Sequence, residues 1–577
     1  MIVRKMALIS KTHYKWIIPV IHSILCIIWS QSFFLSDVTG IKTAIVREGS
    51  HISDSAETMM IRIITYLFCA LLIYWGWQLF FFVIDVFRGK EKRVSRSTLV
   101  LFGIIFLIGL FAGTVSYPDK FAIMIDNYTN YAQARGFVGS YWQSVYMGCL
   151  VGGCAMILHH ASAIFLFQWT LFVVAIGFVF CGIDRLQKRN LKYCALILFL
   201  LPEAYYLTFD AYRNDIYAIL LMIYLSYIFF ALTLRRRLSV KELIGLAVFS
   251  AFMMVFRSEG LLIGITGIAF LLVYLRGQWK RSIVLVLVFV VSFVAIQVPV
   301  KLGTDKYFGQ DYMILNTTPV LYSIFNDPSV DLSYAGAKKD LAAIEAVVPV
   351  QVLKEAGMTG FRNYNWMRGK KTFNQTLSSD ETSEAYMDAY YSIIRHNPMD
   401  YLNVQLNEFF SSFGLTPVRT TYSYEGEPTV KLESFKYEKW KIGKELIFKE
   451  RLTSRWADYP GRIIMRDKVD HIIAMWRNMF INTPLHVLLH VLSFILICIL
   501  CVMQFVLAII RRNWRRLGFA VLFLVIIGEY IAIMLFMPDD RPAYLYPTLY
   551  AGYLSILFYY AGTVHPKRDT ERGDNRG

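Results

Sequence analysis

Runs of about 20 apolar residues recur along this 577-residue chain, and nothing else constrains its fold as tightly. Each run is long enough to cross a hydrocarbon core of roughly 30 Å as a helix. In that medium every backbone N–H and C=O must be satisfied internally, which favours helices. Hydrophobic residues make up 56% of the chain and charged residues 18%. That is too apolar for an ordinary soluble protein, so length does not count soluble domains here. The chain therefore reads as an all-α polytopic membrane protein. About twelve transmembrane helices are expected, near 16–36, 59–87, 98–117, 162–182, 193–209, 216–234, 242–256, 260–275, 282–300, 484–510, 517–537 and 543–562. The first run has no small-residue cleavage site and reads as a retained span.

A net charge of +17 is compatible with nucleic acid in principle, but its placement points to a membrane. Basic residues cluster in short loops between apolar runs: Arg88 to Arg96, Arg185 to Lys192, Arg235 to Lys241, Arg276 to Arg281, and Arg511 to Arg516. Both tails match. Under the positive-inside rule these are cytoplasmic anchors, and both termini face the cytoplasm. The chain then divides into a two-span segment 1–97, a transmembrane core 98–300 with an outward loop 118–161, a mainly helical extracytoplasmic region 301–483, and a three-span segment 484–577 with a cytoplasmic tail. Helix-like stretches in the large region are expected at 341–356, 382–395, 399–413 and 462–480. Segment 118–161 is expected to form interfacial helices. The localisation implied is a cytoplasmic (inner or plasma) membrane, multi-pass.

Against that map, four charged clusters fall on the outward side at helix ends: Tyr117-Pro118-Asp119 running to Asp126, Arg213-Asn214-Asp215, Arg257-Ser258-Glu259 and Asp539-Asp540-Arg541. Ionisable groups are expensive at such positions and mark functional sites by default. Asp126 could accept a proton from an attacking hydroxyl, or it could simply favour a helix start, as Asp does. Arg213, Arg257 and Arg541 offer guanidinium forks that match phosphate geometry. Glu259 would orient Arg257 or polarise an acceptor, although an Arg257–Glu259 ion pair that eases a hairpin into the headgroup layer is an equally simple reading. Asp215 is a substrate-binding candidate beside Arg213, in a turn that could also be merely polar. Tyr544 and Tyr546 flank the last arginine and could share a phosphate or serve only as interfacial anchors.

Other motifs are quieter. His486 and His490 stand at i and i+4, a spacing that can bind metal, but no carboxylate lies nearby in sequence and packing is the preferred reading. No metal site is assigned. There is no Walker A loop and no Gly-rich dinucleotide fingerprint, so no nucleotide cofactor is expected. Nearly all eight cysteines lie in apolar runs, which argues against a disulfide framework.

The layout resembles the GT-C superfamily of membrane glycosyltransferases, which includes protein mannosyltransferases and bacterial lipid A aminoarabinose transferases. The resemblance rests on the early outward loop with Tyr117-Pro118 and Asp126, on the hairpin turn Arg257-Ser258-Glu259-Gly260, and on Arg541-Pro542-Ala543-Tyr544-Leu545-Tyr546-Pro547 before the last span. It implies sugar transfer from a polyprenyl-phosphate donor to a glycan, lipid or protein acceptor at the outer face, with no nucleic acid partner. Asp126 would activate the acceptor hydroxyl, and Arg541 with Arg257 or Arg213 would stabilise the departing phosphate. Some relatives use a divalent cation and others none, so the cofactor stays open. One departure stands out: the acidic loop follows the third span instead of the first. Loop 37–58, with Asp37, Asp54 and Glu57, is the alternative acidic loop. Two other functions fit the same map. A polysaccharide polymerase or O-antigen ligase would use the outward arginines but could dispense with Asp126. A lipid-linked glycan flippase or transporter would show repeated halves and broken midplane helices, and the sequence displays neither.

Overall fold

The computed structural model describes residues 14–31, 34, 55–92, 94–116, 125–139, 144–160, 163–186, 190–201, 204, 213–233, 238–257, 260–303, 306–325, 327–354, 380–412, 460–481, 484–536 and 545–563. Among them there are helices and no strand. The helices are α1 (14–31), α2 (Ser55–Phe87), α3 (Arg96–Ser116), α4 (Ile125–Gly136), α5 (Val145–Leu158) and α6 (Ala163–Leu186). A 3-10 segment, Asn190–Phe199, leads to α7 (Arg213–Thr233), α8 (Val240–Phe256), α9 (Gly260–Tyr274) and α10 (Trp279–Gly303). Then come α11 (Lys306–Phe325), α12 (Ala337–Val347), α13 (Val350–Lys354), α14 (Asp380–His396), α15 (Pro398–Ser412) and α16 (Pro460–Ile481). The chain closes with α17 (Pro484–Ile510), α18 (Trp514–Phe536) and α19 (Tyr546–Thr563).

Seven of these are long and apolar enough to cross a membrane: α2, α3, α6, α7, α10, α17 and α18. They match seven of the expected spans. The other five expectations fall on helical segments short of that length or apolarity. The run near 193–209 is one of them: its described part is a 3-10 turn sequence, and Pro202 disfavours α geometry in the residue before it. The 242–275 run is two helices of 17 and 15 residues, broken at Arg257. A capping box between Ser239 and Glu242 starts the first of them. Arg257 is extended at φ −145°, ψ 144°, and a Cβ at Gly260 would overlap the Met253 carbonyl, so only glycine fits that close approach.

Burial separates the centre of the bundle from its rim. In α7, 83% of the most apolar stretch is buried, against 6% for α10, so α7 is the hub and α10 lies at the rim. Phe519, early in α18, meets Phe229 late in α7 at 5.6 Å and Tyr559 late in α19 at 6.2 Å. Phe178, late in α6, meets Phe230 at 5.5 Å. Hence α6, α7 and α19 run the same way, and their first residues share one end of the bundle with the last turn of α18. The basic loops after α2, α6, α9 and α17 lie at the opposite end.

The region between α10 and α17 is helical in its described part, as the sequence indicates. Its helix α15 docks on the end of the bundle where α18 finishes: the Tyr401 hydroxyl donates to the Leu535 carbonyl at 3.2 Å, and Phe409 lies 6.4 Å from Tyr530. Turn chemistry ties this region together. Asp327 accepts from the Ser329 N–H and hydroxyl, Ser329 in turn reaches Asp400, and Asn397 brackets Asp331 through both its N–H and its carbonyl. His396 stacks on Tyr334 at 3.8 Å.

Helix α5 departs from the expected interfacial position. It is buried along nearly its whole length, packed between α2, α4 and α6. Small residues permit this: a Cβ at Gly153 would stand 2.9 Å from the Cys69 backbone nitrogen and from the Phe68 Cβ. Amphipathic patterning could not reveal it, because α5 is apolar all round and its period marks no single buried face.

Gly153→Leu should therefore lower stability by ~1–3 kcal/mol, the usual cost of overpacking, whereas Gly245→Ala, with open space around it, should not; thermal unfolding in detergent reads both. The Ser329 and Ser333 hydrogen bonds hold the Asp327 and Asp331 carboxyls below their ordinary value of 3.8. Their stabilisation is complete above that value and is lost as pH falls through the depressed ones. Limited proteolysis across an acid titration should show cuts in 327–354 appearing below about pH 4, with onset at higher pH in Ser329→Ala.

Candidate functional site

Arg257 is 2% exposed, one of the largest fully buried side chains described. A guanidinium stays charged at any ordinary pH, so burying it costs several kcal/mol unless neighbours compensate. One neighbour is Tyr217, whose ring lies 5.5 Å beneath the guanidinium carbon. Tyr217 belongs to the opening turns of the hub helix α7, where Asn214 and Asp215 are also buried. An acid in the first turn of a helix is favoured by the macrodipole, so Asp215 serves the helix start as well as the site. Arg213 is the first residue of that helix and half-buried.

The start of α19 lies beside this turn, because α19 packs along α7 in the same direction. Tyr546 is its first residue and is buried. One turn on, the Tyr550 hydroxyl donates to the Leu198 carbonyl at 3.1 Å, locking α19 to the 3-10 segment. The structure thus brings Arg213, Asp215, Arg257 and Tyr546 to one end of the bundle. Asp126 is the second residue of α4, and its side chain lies outside the described residues. Glu259, Arg541 and Tyr544 also lie outside them, as does the side chain of His486.

Three further buried ionisable residues, Glu529, His490 and Arg135, lie outside the four charged clusters. Glu529, 0% exposed, sits inside α18 with Tyr530. Tyr530 lies beside Ser493 of α17 and Thr548 of α19, under Phe409 and Phe494 of neighbouring helices. His490 is fully buried on the same face of α17 as Ser493. A lone glutamate inside an apolar run was a usable signal. Arg135 is the third: it ends α4, is 2% exposed, and lies over Phe34 at 5.6 Å and Tyr131 at 5.9 Å. Arg62 caps the same aromatic cluster through Phe137 at 4.8 Å. Burial and then the Arg135 charge hold the His159 imidazole below its ordinary range.

Among the described residues, no group of three or more His, Cys, Asp or Glu side chains is placed to hold a metal ion. What the Arg257 end offers instead is a fixed cation, a buried acid and helix starts whose N–H groups add positive potential. That combination can hold an anion and can accept or deliver a proton. Comparison with known proteins gives no match, whether against family models, characterised proteins or solved structures.

The Tyr217 ring should be the measurable part of the support for Arg257. Tyr217→Leu is expected to lower the unfolding temperature by the equivalent of about 1–2 kcal/mol, and Tyr217→Phe by clearly less, since it keeps the ring face.

Proposed function

We propose that this chain is a GT-C-like integral membrane glycosyltransferase. It would move a sugar from a polyprenyl-phosphate donor to a cell-surface glycan, lipid or protein acceptor at the outer face of a cytoplasmic membrane. The observation that carries the reading is the buried Arg257, held over Tyr217 beside Asn214 and Asp215 where α7, α9 and α19 begin. This end lies opposite the basic loops, so by the positive-inside rule it faces outward. A permanently charged guanidinium in a dry setting suits a group whose charge grows during reaction, and phosphate leaving an anomeric carbon is such a group. The twelve-span topology belongs to the same proposal, with α1, the run that begins at the 3-10 segment, the α8–α9 hairpin and α19 completing the set.

In this mechanism the donor phosphate would sit against Arg257, with Arg213 and Arg541, both assigned to the outward side by the proposed topology, sharing its charge. Tyr546, and Tyr544 two residues before it in the sequence, would border it at the membrane surface. Asp126, in the outward loop region of α4, takes the proton of the acceptor hydroxyl as that oxygen attacks the anomeric carbon. The bond from that carbon to phosphate oxygen breaks, and polyprenyl phosphate leaves. Asp215 and Glu259 orient the arginines.

The test is mass spectrometry of lipid-linked and surface glycans from cells carrying the native gene, a deletion, Arg257→Lys, Arg541→Ala or Asp126→Asn. Loss of a single sugar in the deletion, and a fall of about 100-fold or more in the well-expressed variants, is expected, the usual scale for removing a transition-state charge partner. A sugar retained in Asp126→Asn but lost in both arginine variants moves the catalytic acid to loop 37–58 or favours a ligase. An unchanged glycan profile in the deletion contradicts the reading.

A further inference from the structure

Helix α4 is polar in composition, yet from Thr129 to Val138 it is buried throughout. Two of its side chains, Asn130 and Gln133, are each 2% exposed, and Asn130 Nδ2 and Gln133 Nε2 have no hydrogen-bond partner. The Gln133 side chain and the Asn130 backbone stand against the first turn of α5. The ideal Cβ position at Gly148 is 3.7 Å from the Gln133 Cβ, 3.8 Å from its Oε1 and 4.0 Å from the Asn130 carbonyl. Gly148 therefore keeps open the space into which the glutamine amide reaches. At the head of that turn, Ser144 occupies the N-cap position but does not cap: its hydroxyl is buried and also unpartnered.

Three buried polar atoms left unsatisfied on one packed helix pair are costly, and natural interiors rarely tolerate them without a reason. Their chemistry is one-sided. The amide nitrogens only donate, the serine hydroxyl can donate, and the start of α5 adds aligned backbone N–H groups with the positive end of a helix dipole. Arg135 on α4 and Arg62 on α2 add two cations around the same helix pair. Asp126, in the first turn of α4, is the one acid on the two helices.

We propose that Asn130, Gln133, Ser144 and the first turn of α5 form a binding site for a phosphate-type oxyanion, separate from the Arg257 site. The unpartnered donors and the helix start call for a ligand rich in acceptors and negative charge, which is what a phosphate group presents. A phosphate monoester headgroup of a membrane lipid and free inorganic phosphate share that chemistry. The inference stands apart from the transferase reading, because no residue of the Arg257 end takes part in it.

The test uses the full-length protein and its thermal unfolding. One arm titrates inorganic phosphate into protein in uncharged detergent. The other compares nanodiscs of phosphatidylcholine alone with nanodiscs that also contain phosphatidic acid. Wild type is expected to unfold at a higher temperature with at least one of the two, because a ligand that binds only the folded state stabilises it. Response to phosphatidic acid alone identifies a lipid headgroup, and response to both identifies the phosphate itself. The Asn130→Leu/Gln133→Met variant should start at or above the wild-type unfolding temperature without phosphate and should not respond. Ser144→Ala, a smaller change that keeps the protein measurable if the double variant misfolds, should weaken apparent affinity about 10-fold, the scale of one hydrogen bond to a charged group.

Arg257→Ala should keep the response. If it abolishes the response while the double variant or Ser144→Ala keeps it, phosphate binds at the Arg257 end: this inference fails and the transferase reading stands. No response of wild type to either ligand, or equal responses in wild type and both α4–α5 variants, overturns it as well.

Discussion

A charge that cannot be shed, placed where water is scarce, organises one end of this molecule. Arg257 keeps its proton at any ordinary pH, and it is 2% exposed. The chain stops being helical to put it there, and Gly260 restarts the helix at a distance only glycine allows. The resulting hairpin of α8 and α9 is too short for either arm to match the long spans, so the arms pack against α10 and α18 and extend the bundle around the hub helix α7. Tyr217 on α7 supplies the ring under the guanidinium, and α19 then aligns with α7. Removing the arginine's need for partners would remove the reason for this arrangement of helix starts.

A second layer of buried polarity sits on the α2 side of the same end. Helix α5 packs through glycines against α2 and α4, and the polar atoms of α4 and α5 include donors without acceptors. Below the end surface, Glu529 and Tyr530 of α18 lie under Phe409 of the α15 cap. The two ends of the bundle therefore differ in kind. One carries exposed lysines and arginines on short loops, such as Arg88, Lys90, Arg276 and Arg511. The other takes its polar groups inside, which is where differential binding can do chemistry.

Much of this is written in the sequence where a local rule suffices. The seven long apolar helices, the break at Arg257 and the helices near 341–356, 382–395, 399–413 and 462–480 all derive from apolar run length, interrupting charge or proline, and amphipathic period. What the sequence hid depends on contacts between distant segments. The polar composition of α4 reads as a surface helix, but its described residues from Thr129 on are buried, with α5 packed against them. Arg135 resembles any basic residue near a helix end until Phe34 and Tyr131 are placed around it. Glu529 was legible as an acid inside an apolar run, but Ser493 and Thr548, which lie beside the adjoining Tyr530, come from two other helices. The shift of Asn190–Phe199 from α to 3-10 geometry likewise has a contact, Tyr550 to Leu198, that lies 352 residues away in the chain.

If the end carrying Arg257 holds the phosphate of a polyprenyl lipid, that lipid must be found there. A polyprenyl phosphate bearing a diazirine beside its headgroup, photolysed with the protein in nanodiscs, tests this directly when the modified peptides are identified by mass spectrometry. Binding at this end predicts adducts concentrated in residues 213–217, 257–262 and 545–550, which excess unlabelled polyprenyl phosphate removes. Adducts spread along the rim helix Trp279–Gly303, unaffected by competitor, would show that the lipid meets the protein only as solvent and would contradict it.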